Sequence, residues 1–236
     1  MRNFQNVKQA HSEIRRDLRS FGVLHETKTM QNKCIEDNPN FYTKELTNYG
    51  YIIQRVNSIE DFIGIPGFHE KYCLAEISDR ETGIIGTPVN PGRSWMQRPE
   101  IWSEFLDDRG KFDYTYSERL DQFLNLLVTL SKDPGSRRAW YPIFDFEDTE
   151  YAHQDIRVPC SLGYNFQIRD KKLDITYLMR SCDFATHWAN DVFMTHCLQS
   201  YLLKQLIQKG LDIQMGTFSH FIFSLHIYNK DVAGVF

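Results

Sequence analysis

Residues 157–191 decide the fold, and they read RVPCSLGYNFQIRDKKLDITYLMRSCDFATHWAND. Leu162, Tyr164 and Phe166 alternate with small or polar residues, and this period of two predicts a β-strand. A polar turn at residues 170–172 separates it from a second predicted strand over residues 173–179. The two strands form a predicted hairpin, with the residues that bear the chemistry at its ends.

The first chemically active group of this stretch is the thiol of Cys160. It follows Pro159, which has no backbone donor and favours extended structure in the residue before it. A thiolate is an effective nucleophile at neutral pH. Arg180, near the end of the return strand, supplies a cation close to it. On residue type alone, a catalytic thiol and a small buried apolar residue both remain open.

Co-linear motifs extend this pattern in both directions along the chain. They are Asp133-Pro134-x-Ser136-Arg137-Arg138, Pro159-Cys160, Arg180-Ser181-x-Asp183, Asp191, Gly216-x-Phe218-x-His220 and His226-Ile227-Tyr228. Their order and spacing resemble the thymidylate synthase family, densely over residues 101–228 and weakly before them. The resemblance implies an α/β (α+β) fold in one catalytic domain, residues 1–236. In that fold a large mixed β-sheet is packed by a long central helix and pairs face to face in a homodimer.

The resemblance also implies a reaction. Cys160 would attack C6 of a pyrimidine nucleotide, and C5 would then attack the methylene carbon of 5,10-methylenetetrahydrofolate, with no metal. A glutamate held near the pyrimidine would relay protons through water. Glu76, in a predicted helix around residues 74–78, is the candidate for this group, and Glu81 is its rival.

Binding residues follow from the resemblance residue by residue. The 5′-phosphate would be held by Arg180 and Ser181, and by Arg137 and Arg138 reaching from the other subunit, because arginine pairs with phosphate oxygens through a planar fork. The other candidate substrate-binding residues are Asn165 and, for the sugar 3′-hydroxyl, His226 and Tyr228. The candidate folate-binding residues are Tyr116, Asp183 and Trp102, the last from an Ile101-Trp102 pair.

One departure from the family concerns the base. Thymidylate synthases carry an asparagine eleven residues after the motif arginine, and here that position is Asp191. A carboxylate accepts from the amino group of cytosine and shares a proton with N3. Asp191 therefore resembles the deoxycytidylate hydroxymethylase branch, with dCMP as substrate. Two alternatives stay open: Asn190 is the true counterpart, or Asp191 only caps the helix beginning there.

The predicted product is 5-hydroxymethyl-dCMP. The chain stops eight residues after Tyr228, whereas family members continue and fold their C-terminus over the folate, so we expect a reduced lid that lets water reach the intermediate. A synthase that methylates dCMP or dUMP and an inactive nucleotide-binding relative remain alternatives. The choice between ribose and deoxyribose also stays open. Modification of dCMP would suit a phage that marks its own DNA.

Composition excludes several other classes of protein. The 236 residues are 42% hydrophobic and 14% aromatic, which is typical of a folded domain. The net charge of −4 gives no basic field for nucleic acid. The five cysteines are odd in number and lack metal-type pairing, which predicts reduced thiols in a cytoplasm. If the source is viral, this would be the cytoplasm of the host. The sequence has no apolar run long enough to predict a membrane span.

Periodicity predicts the remaining elements. They are a helix over residues 5–19, one or two strands within 41–56, a helix around 120–130, a strand over 139–146, a helix over 191–208 and strands within 213–228. The family's Gly-rich turn with a further phosphate arginine has no match after the first helix, so that ligand is not assigned.

Overall fold

The computed structural model describes residues 1–30, 33–154 and 156–236, without the side chains at positions 33, 100 and 101. The strands in this part are β1 (Arg2–Phe4), β2 (Val23–His25), β3 (Thr29–Met30), β4 (Lys33–Cys34), β5 (Thr43–Ile53), β6 (Trp140–Pro142), β7 (Ser161–Arg169), β8 (Lys172–Asp183) and β9 (Gln214–Tyr228). The helices are α1 (Val7–Phe21), α2 (Glu70–Ile84), α3 (Pro99–Trp102), α4 (Leu124–Lys132), α5 (Phe146–His153), α6 (Trp188–Gln208) and α7 (Asn229–Val235). None of these helices is long and apolar enough to cross a membrane.

A mixed sheet with the strand order β1-β5-β9-β8-β7-β6, to which β2 adds beside β5, organises the fold. β9 runs antiparallel to β5 and parallel to β8. Because β8 and β9 are parallel, their carboxyl ends lie at the same edge, where Asp183 faces His226 in register. The prediction of an α/β fold with a large mixed sheet is confirmed.

The predicted hairpin is β7 and β8, which pair antiparallel. Its two-residue turn is formed by Asp170 and Lys171, whose φ angles of 48° and 59° are both left-handed. That conformation matches the twist of paired strands, and Asp adopts it more readily than most residues. The second strand is longer than predicted and runs on through Arg180 and Ser181 to Asp183.

The long helix α6 packs against β8 and β9, as the sequence predicts. Leu173, Ile175 and Tyr177 alternate along β8 on its buried face, and Val192 and Leu206 are buried on α6. Each large apolar side chain removed from water contributes about 1.5–3 kcal/mol. This packing fixes α6 against the sheet and so fixes the position of its first turn at the sheet edge.

One segment differs clearly from the sequence prediction. The predicted strand over residues 139–146 ends at Pro142, and α5 begins at Phe146. The Asp145 side chain accepts from the Glu147 and Asp148 backbone N–H groups, and Asp148 bonds back to the Asp145 N–H. This reciprocal cap starts a helix where alternation alone predicts a strand.

Candidate active site

A cavity of about 290 Å³ opens at the sheet edge where β8 and β9 end. Its wall draws on β5, the ends of β8 and β9, the first turns of α6, helix α2 and the loops before β7. The predicted site residues that line it are Trp102, Tyr116, Cys160, Arg180, Ser181, Asp183, Asp191, His226 and Tyr228. The parallel pairing of β8 with β9 brings these residues together from distant parts of the chain.

The loop that carries Cys160 is held by Arg180. Nε of Arg180 donates to the Pro159 carbonyl at 2.9 Å, and Nη2 donates to the Val158 carbonyl at 3.1 Å. The Arg180 backbone N–H also donates to the Cys160 carbonyl at 2.9 Å. Cys160 is half-buried on the cavity wall. The Arg180 guanidinium thus fixes the backbone of the loop that carries the thiol, and it lines the same cavity.

Asp183, at the end of β8, turns the chain toward α6. Its Oδ1 accepts from the Ala185 backbone N–H at 2.9 Å, and its Oδ2 accepts from the Thr186 hydroxyl. Opposite it, His226 and Tyr228 stand on the end of β9 with their rings 5.1 Å apart. Burial lowers the pKa of His226, with the Asp183 charge opposing that shift. The imidazole therefore tends to the neutral form, which offers one donor and one acceptor.

Asp191 lies on the cavity wall in the first turns of α6. The helix is preceded by His187 as its N-cap residue, and the Asp191 backbone N–H bonds to the His187 carbonyl at 2.9 Å. Oδ2 of Asp191 accepts from the Cys182 thiol at 3.8 Å. Burial raises the pKa of Asp191 to about 7, the Arg80 guanidinium partly opposing this. At neutral pH this carboxyl group is present in both protonation states.

The neighbouring Asn190 has a different environment. It is fully buried, and its carbonyl oxygen accepts from the His69 N–H at 2.8 Å while its amide donates to the Gly67 and Thr186 carbonyls, each at 2.8 Å. It does not line the cavity. Its side chain connects α6 to the loop before α2, and of the two residues only Asp191 lines the cavity.

Glu76 sits behind the cavity wall rather than on it. It is 3% exposed, accepts from Nε of Arg80 at 2.9 Å and accepts from the Ser94 hydroxyl. Arg80 itself lines the cavity and lies 4.5 Å from the Tyr116 ring centroid. The rival Glu81 is exposed on the same helix. Glu76 therefore contacts a residue of the cavity wall, Arg80, but does not line the cavity itself. The sequence pattern did not indicate Arg80.

Three predicted substrate-binding residues lie outside the cavity of their own chain. Arg137 and Arg138 are exposed on the segment before β6. Asn165, on β7, turns toward the Ala139 carbonyl, with Nδ2 at 3.5 Å. The structure therefore does not join Asn165 to the other site residues. Its alternation with Tyr164 places it on the opposite face of the sheet from that buried ring.

Several cavity residues have no counterpart in the sequence prediction. They are Glu45, Tyr72, Arg80, Trp95, Tyr114 and Arg157. They come from β5, from α2 and from loops with no periodicity, so only the tertiary fold brings them to the site. The one local signal is Arg157, a charged residue three positions before the candidate nucleophile.

Comparisons with known proteins agree with this fold. The solved structure of thermostable thymidylate synthase A from Bacillus subtilis superposes with a TM-score of 0.69 at 17% identity, over 97% of this chain and 81% of that one. A Methanosarcina barkeri protein is 32% identical over 131 residues, which are 51% of this chain and 55% of that protein.

Two further relatives carry different names. The thymidylate synthase of Lactococcus lactis subsp. cremoris is 27% identical over 142 residues, 56% of this chain and 47% of that protein. The deoxyuridylate hydroxymethyltransferase of Bacillus phage SP01 is 26% identical over 148 residues, 54% of this chain and 37% of that protein. The chain spans about half the length, or less, of these curated relatives.

A family model described as thymidylate synthase matches residues 90–235. This match covers more than half of the chain and includes Cys160, the Arg180–Asp183 strand end, Asp191 and the β9 residues of the cavity. The chain belongs to the thymidylate synthase family.

Proposed function

We propose that this protein transfers a one-carbon unit from 5,10-methylenetetrahydrofolate to C5 of dCMP and gives 5-hydroxymethyl-dCMP. The observation that carries the proposal is the half-buried carboxyl group of Asp191 on the cavity wall. The side chain of the neighbouring Asn190 is instead used in structural hydrogen bonds to backbone carbonyls. The base-reading position thus offers a carboxyl group rather than an amide.

The chemistry of this carboxyl group suits cytosine. Cytosine presents an amino donor at C4 and an acceptor at N3. With its pKa raised to about 7 by burial, Asp191 is partly protonated at neutral pH. One oxygen then accepts from the amino group while the O–H donates to N3. A fully ionised carboxylate would face N3 with two acceptors, so the raised pKa is what makes the match complete.

The proposed reaction uses Cys160 as nucleophile. Its sulfur bonds to C6 and the electron pair of the C5–C6 double bond makes C5 nucleophilic. C5 then bonds to the methylene carbon as the bond from that carbon to one folate nitrogen breaks. C5 loses its proton, and the bond from the methylene carbon to the second folate nitrogen breaks and releases tetrahydrofolate. Water adds to the exocyclic methylene group as the S–C6 bond breaks. Carbon, hydrogen and electrons balance, with dCMP, methylenetetrahydrofolate and water giving 5-hydroxymethyl-dCMP and tetrahydrofolate.

The cavity offers groups for both substrates. Arg180 and Ser181 at the end of β8 would hold the 5′-phosphate, and His226 and Tyr228 would meet the sugar. Trp102 and Tyr116 provide flat apolar walls on which a pterin ring can pack, and Asp183 provides a carboxylate that accepts from ring N–H groups. The residues present therefore fit a folate cosubstrate.

A homodimer would complete the phosphate site. Arg137 and Arg138 are exposed and lie away from the cavity of their own chain. The sheet face opposite α6 carries the half-buried Phe221 and the exposed Phe223, whose exposed fraction is 43%. Face-to-face pairing of two such sheets would cover these rings. In that arrangement the arginine pair of one subunit would reach the phosphate of the other, and residues 1–236 would act as a single catalytic domain.

A second candidate is a C5-methylating synthase on dCMP or dUMP, and one observation favours it. A protonated Asp191 also matches uracil when its carboxyl group is rotated by half a turn. Its O–H then donates to O4, and its other oxygen accepts from N3–H. Both names, synthase and hydroxymethyltransferase, occur among the relatives. The two reactions share the covalent adduct and differ in whether water or hydride reaches the methylene group.

Covalent trapping tests the shared chemistry. Incubation with 5-fluoro-dCMP and methylenetetrahydrofolate should add the mass of both to the protein, because fluorine at C5 cannot leave as a proton does. The Cys160→Ala variant should bind dCMP with little change, since other groups hold the nucleotide, but should form no adduct and no product. An unmodified wild-type protein, or turnover by the alanine variant, would contradict the proposal.

A further inference from the structure

Arg157 is enclosed by aromatic rings on the cavity wall. Its guanidinium carbon lies 4.3 Å from the ring centroid of Tyr114, 4.4 Å from Trp95 and 5.2 Å from Trp102. Phe105 and Phe112 are each at 5.7 Å. Trp95 and Trp102 are themselves stacked, with centroids 4.6 Å apart. We call these five rings the aromatic box.

The charge in this box is buried and incompletely bonded. Arg157 is 2% exposed, and its Nη1 has no hydrogen-bond partner in the part of the chain that the structure describes. Ring faces offset part of the cost of removing a cation from water, but they accept no strong hydrogen bond. A buried donor left without an acceptor is unfavourable, because its lost hydrogen bonds to water are not replaced. An arginine in this state is prepared for an oxygen acceptor that arrives with a ligand.

We propose that Arg157 binds an oxygen acceptor of the one-carbon donor, and this inference rests on the proposed function. The oxygen belongs either to the aroyl-glutamate arm of the folate, as its amide carbonyl or carboxylate, or to the pterin carbonyl. Arg157 is thus a binding residue for the cosubstrate and not for the nucleotide.

The surroundings of Arg157 favour the cosubstrate over the nucleotide phosphate. A phosphate requires several donors converging from polar groups, whereas this guanidinium is surrounded by rings and offers a small number of N–H groups. Four rings of the aromatic box also line the cavity and give it an apolar wall, which suits a conjugated ring system; they are Trp95, Trp102, Phe105 and Tyr114. Arg180 and Ser181 already provide a cation and a hydroxyl at the strand end for the phosphate.

The test is calorimetric binding of tetrahydrofolate to the dCMP-saturated protein, comparing wild type with Arg157→Met. Methionine keeps an unbranched apolar side chain of similar length but has no donor. The matched control is Arg109→Met, because Arg109 is an exposed loop arginine whose side chain bonds only Asp107 within the described chain. We expect the Arg157 variant to bind tetrahydrofolate roughly 10- to 100-fold more weakly, with the dCMP dissociation constant unchanged.

A second ligand separates the two sources of the oxygen. Binding of 6-methyltetrahydropterin, which lacks the aroyl-glutamate arm, should be insensitive to Arg157→Met if the arm supplies the oxygen, and weakened if the pterin supplies it. If Arg157→Met does not fold, Arg157→Lys replaces it, and it should weaken tetrahydrofolate binding because a lysine cannot reproduce the planar fork.

Three results would overturn the inference: unchanged tetrahydrofolate binding in the variants, weakening of dCMP binding instead, or equal weakening of both ligands with a lower melting temperature. Failure of the proposed function itself is distinguishable from these. In that case wild-type protein would bind neither dCMP nor tetrahydrofolate, whereas the inference alone fails if wild type binds both and Arg157 has no effect.

Discussion

Arg80 and Glu76 form a buried ion pair one turn apart on α2, with Nε donating to the carboxylate at 2.9 Å. Each residue is 3% exposed. Arg80 continues to the cavity wall, where its guanidinium lies over the Tyr116 ring and 3.5 Å from the Tyr164 hydroxyl. The glutamate indicated by the sequence therefore lies one hydrogen bond behind the cavity wall.

The first prediction concerns that pair. Glu76→Ala should lower the free energy of unfolding by about 3–5 kcal/mol, because it leaves a buried guanidinium without its carboxylate. Glu76→Gln should lower it less, since the amide oxygen still accepts from Arg80. Urea denaturation measures both. The control is Glu81→Ala, an exposed glutamate on the same helix, and a Glu76→Ala variant no less stable than this control would contradict the account.

The second prediction concerns subunit sharing. Cys160→Ala and Arg137→Ala homodimers should each be inactive, and mixing them with subunit exchange should restore activity. In the heterodimer one site keeps both the thiol and the partner's arginine. Exchange is verified by mass spectrometry of tagged subunits, and the same mixing with Arg138→Ala provides a second case. Proven exchange without any recovered turnover would rule out arginines supplied across the interface.

The third prediction concerns the base. Asp191→Asn should shift preference from dCMP toward dUMP, because an amide donates to O4 and accepts from N3–H. The lost match with cytosine should cost on the order of 1–3 kcal/mol, which is roughly tenfold or more in relative kcat/KM. Parallel assays with dCMP and dUMP give the ratio. An unchanged ratio would show that Asp191 does not read the base.

The fourth prediction uses the raised pKa of Asp191, about 7 in the folded protein against an ordinary value of 3.8. Between these values the folded state holds a proton that the unfolded state has released, so stability falls as pH rises. The slope from this group is about 1.4 kcal/mol per pH unit. Asp191→Asn should remove that slope between about pH 4 and 7. Equal pH dependence of stability in the two proteins would contradict the raised pKa.

Much of the fold was predictable because its elements carry their own periodicity. The β7–β8 hairpin and the helix that starts at Trp188 follow from alternation and helical spacing in the sequence. The N-terminal helix likewise begins and ends near its predicted bounds and buries Ile14 and Leu18. The strand predicted beyond Pro142 was wrong because the Asp145 cap outweighs an alternating pattern of only a few residues.

The site was predictable only where family motifs mark it. Motif residues on β8 and β9 meet because these strands pair in parallel, which spacing along the chain does not reveal. Spacing in the sequence selected Asp191 but left Asn190 open as an alternative, and only the structure shows that the Asn190 side chain bonds to the Gly67 loop and not to the cavity. Arg80 and Arg157 escaped prediction because each depends on partners far along the chain, Tyr164 for one and Trp95 for the other.

Product analysis with dCMP and methylenetetrahydrofolate tests the central claim most directly. Mass spectrometry of the nucleotide and near-ultraviolet absorbance of the folate are read from the same reaction. The account predicts 5-hydroxymethyl-dCMP and tetrahydrofolate, with no absorbance rise from dihydrofolate, because water and not hydride reaches the methylene group. Formation of 5-methyl-dCMP with stoichiometric dihydrofolate would contradict it and identify a methylating synthase.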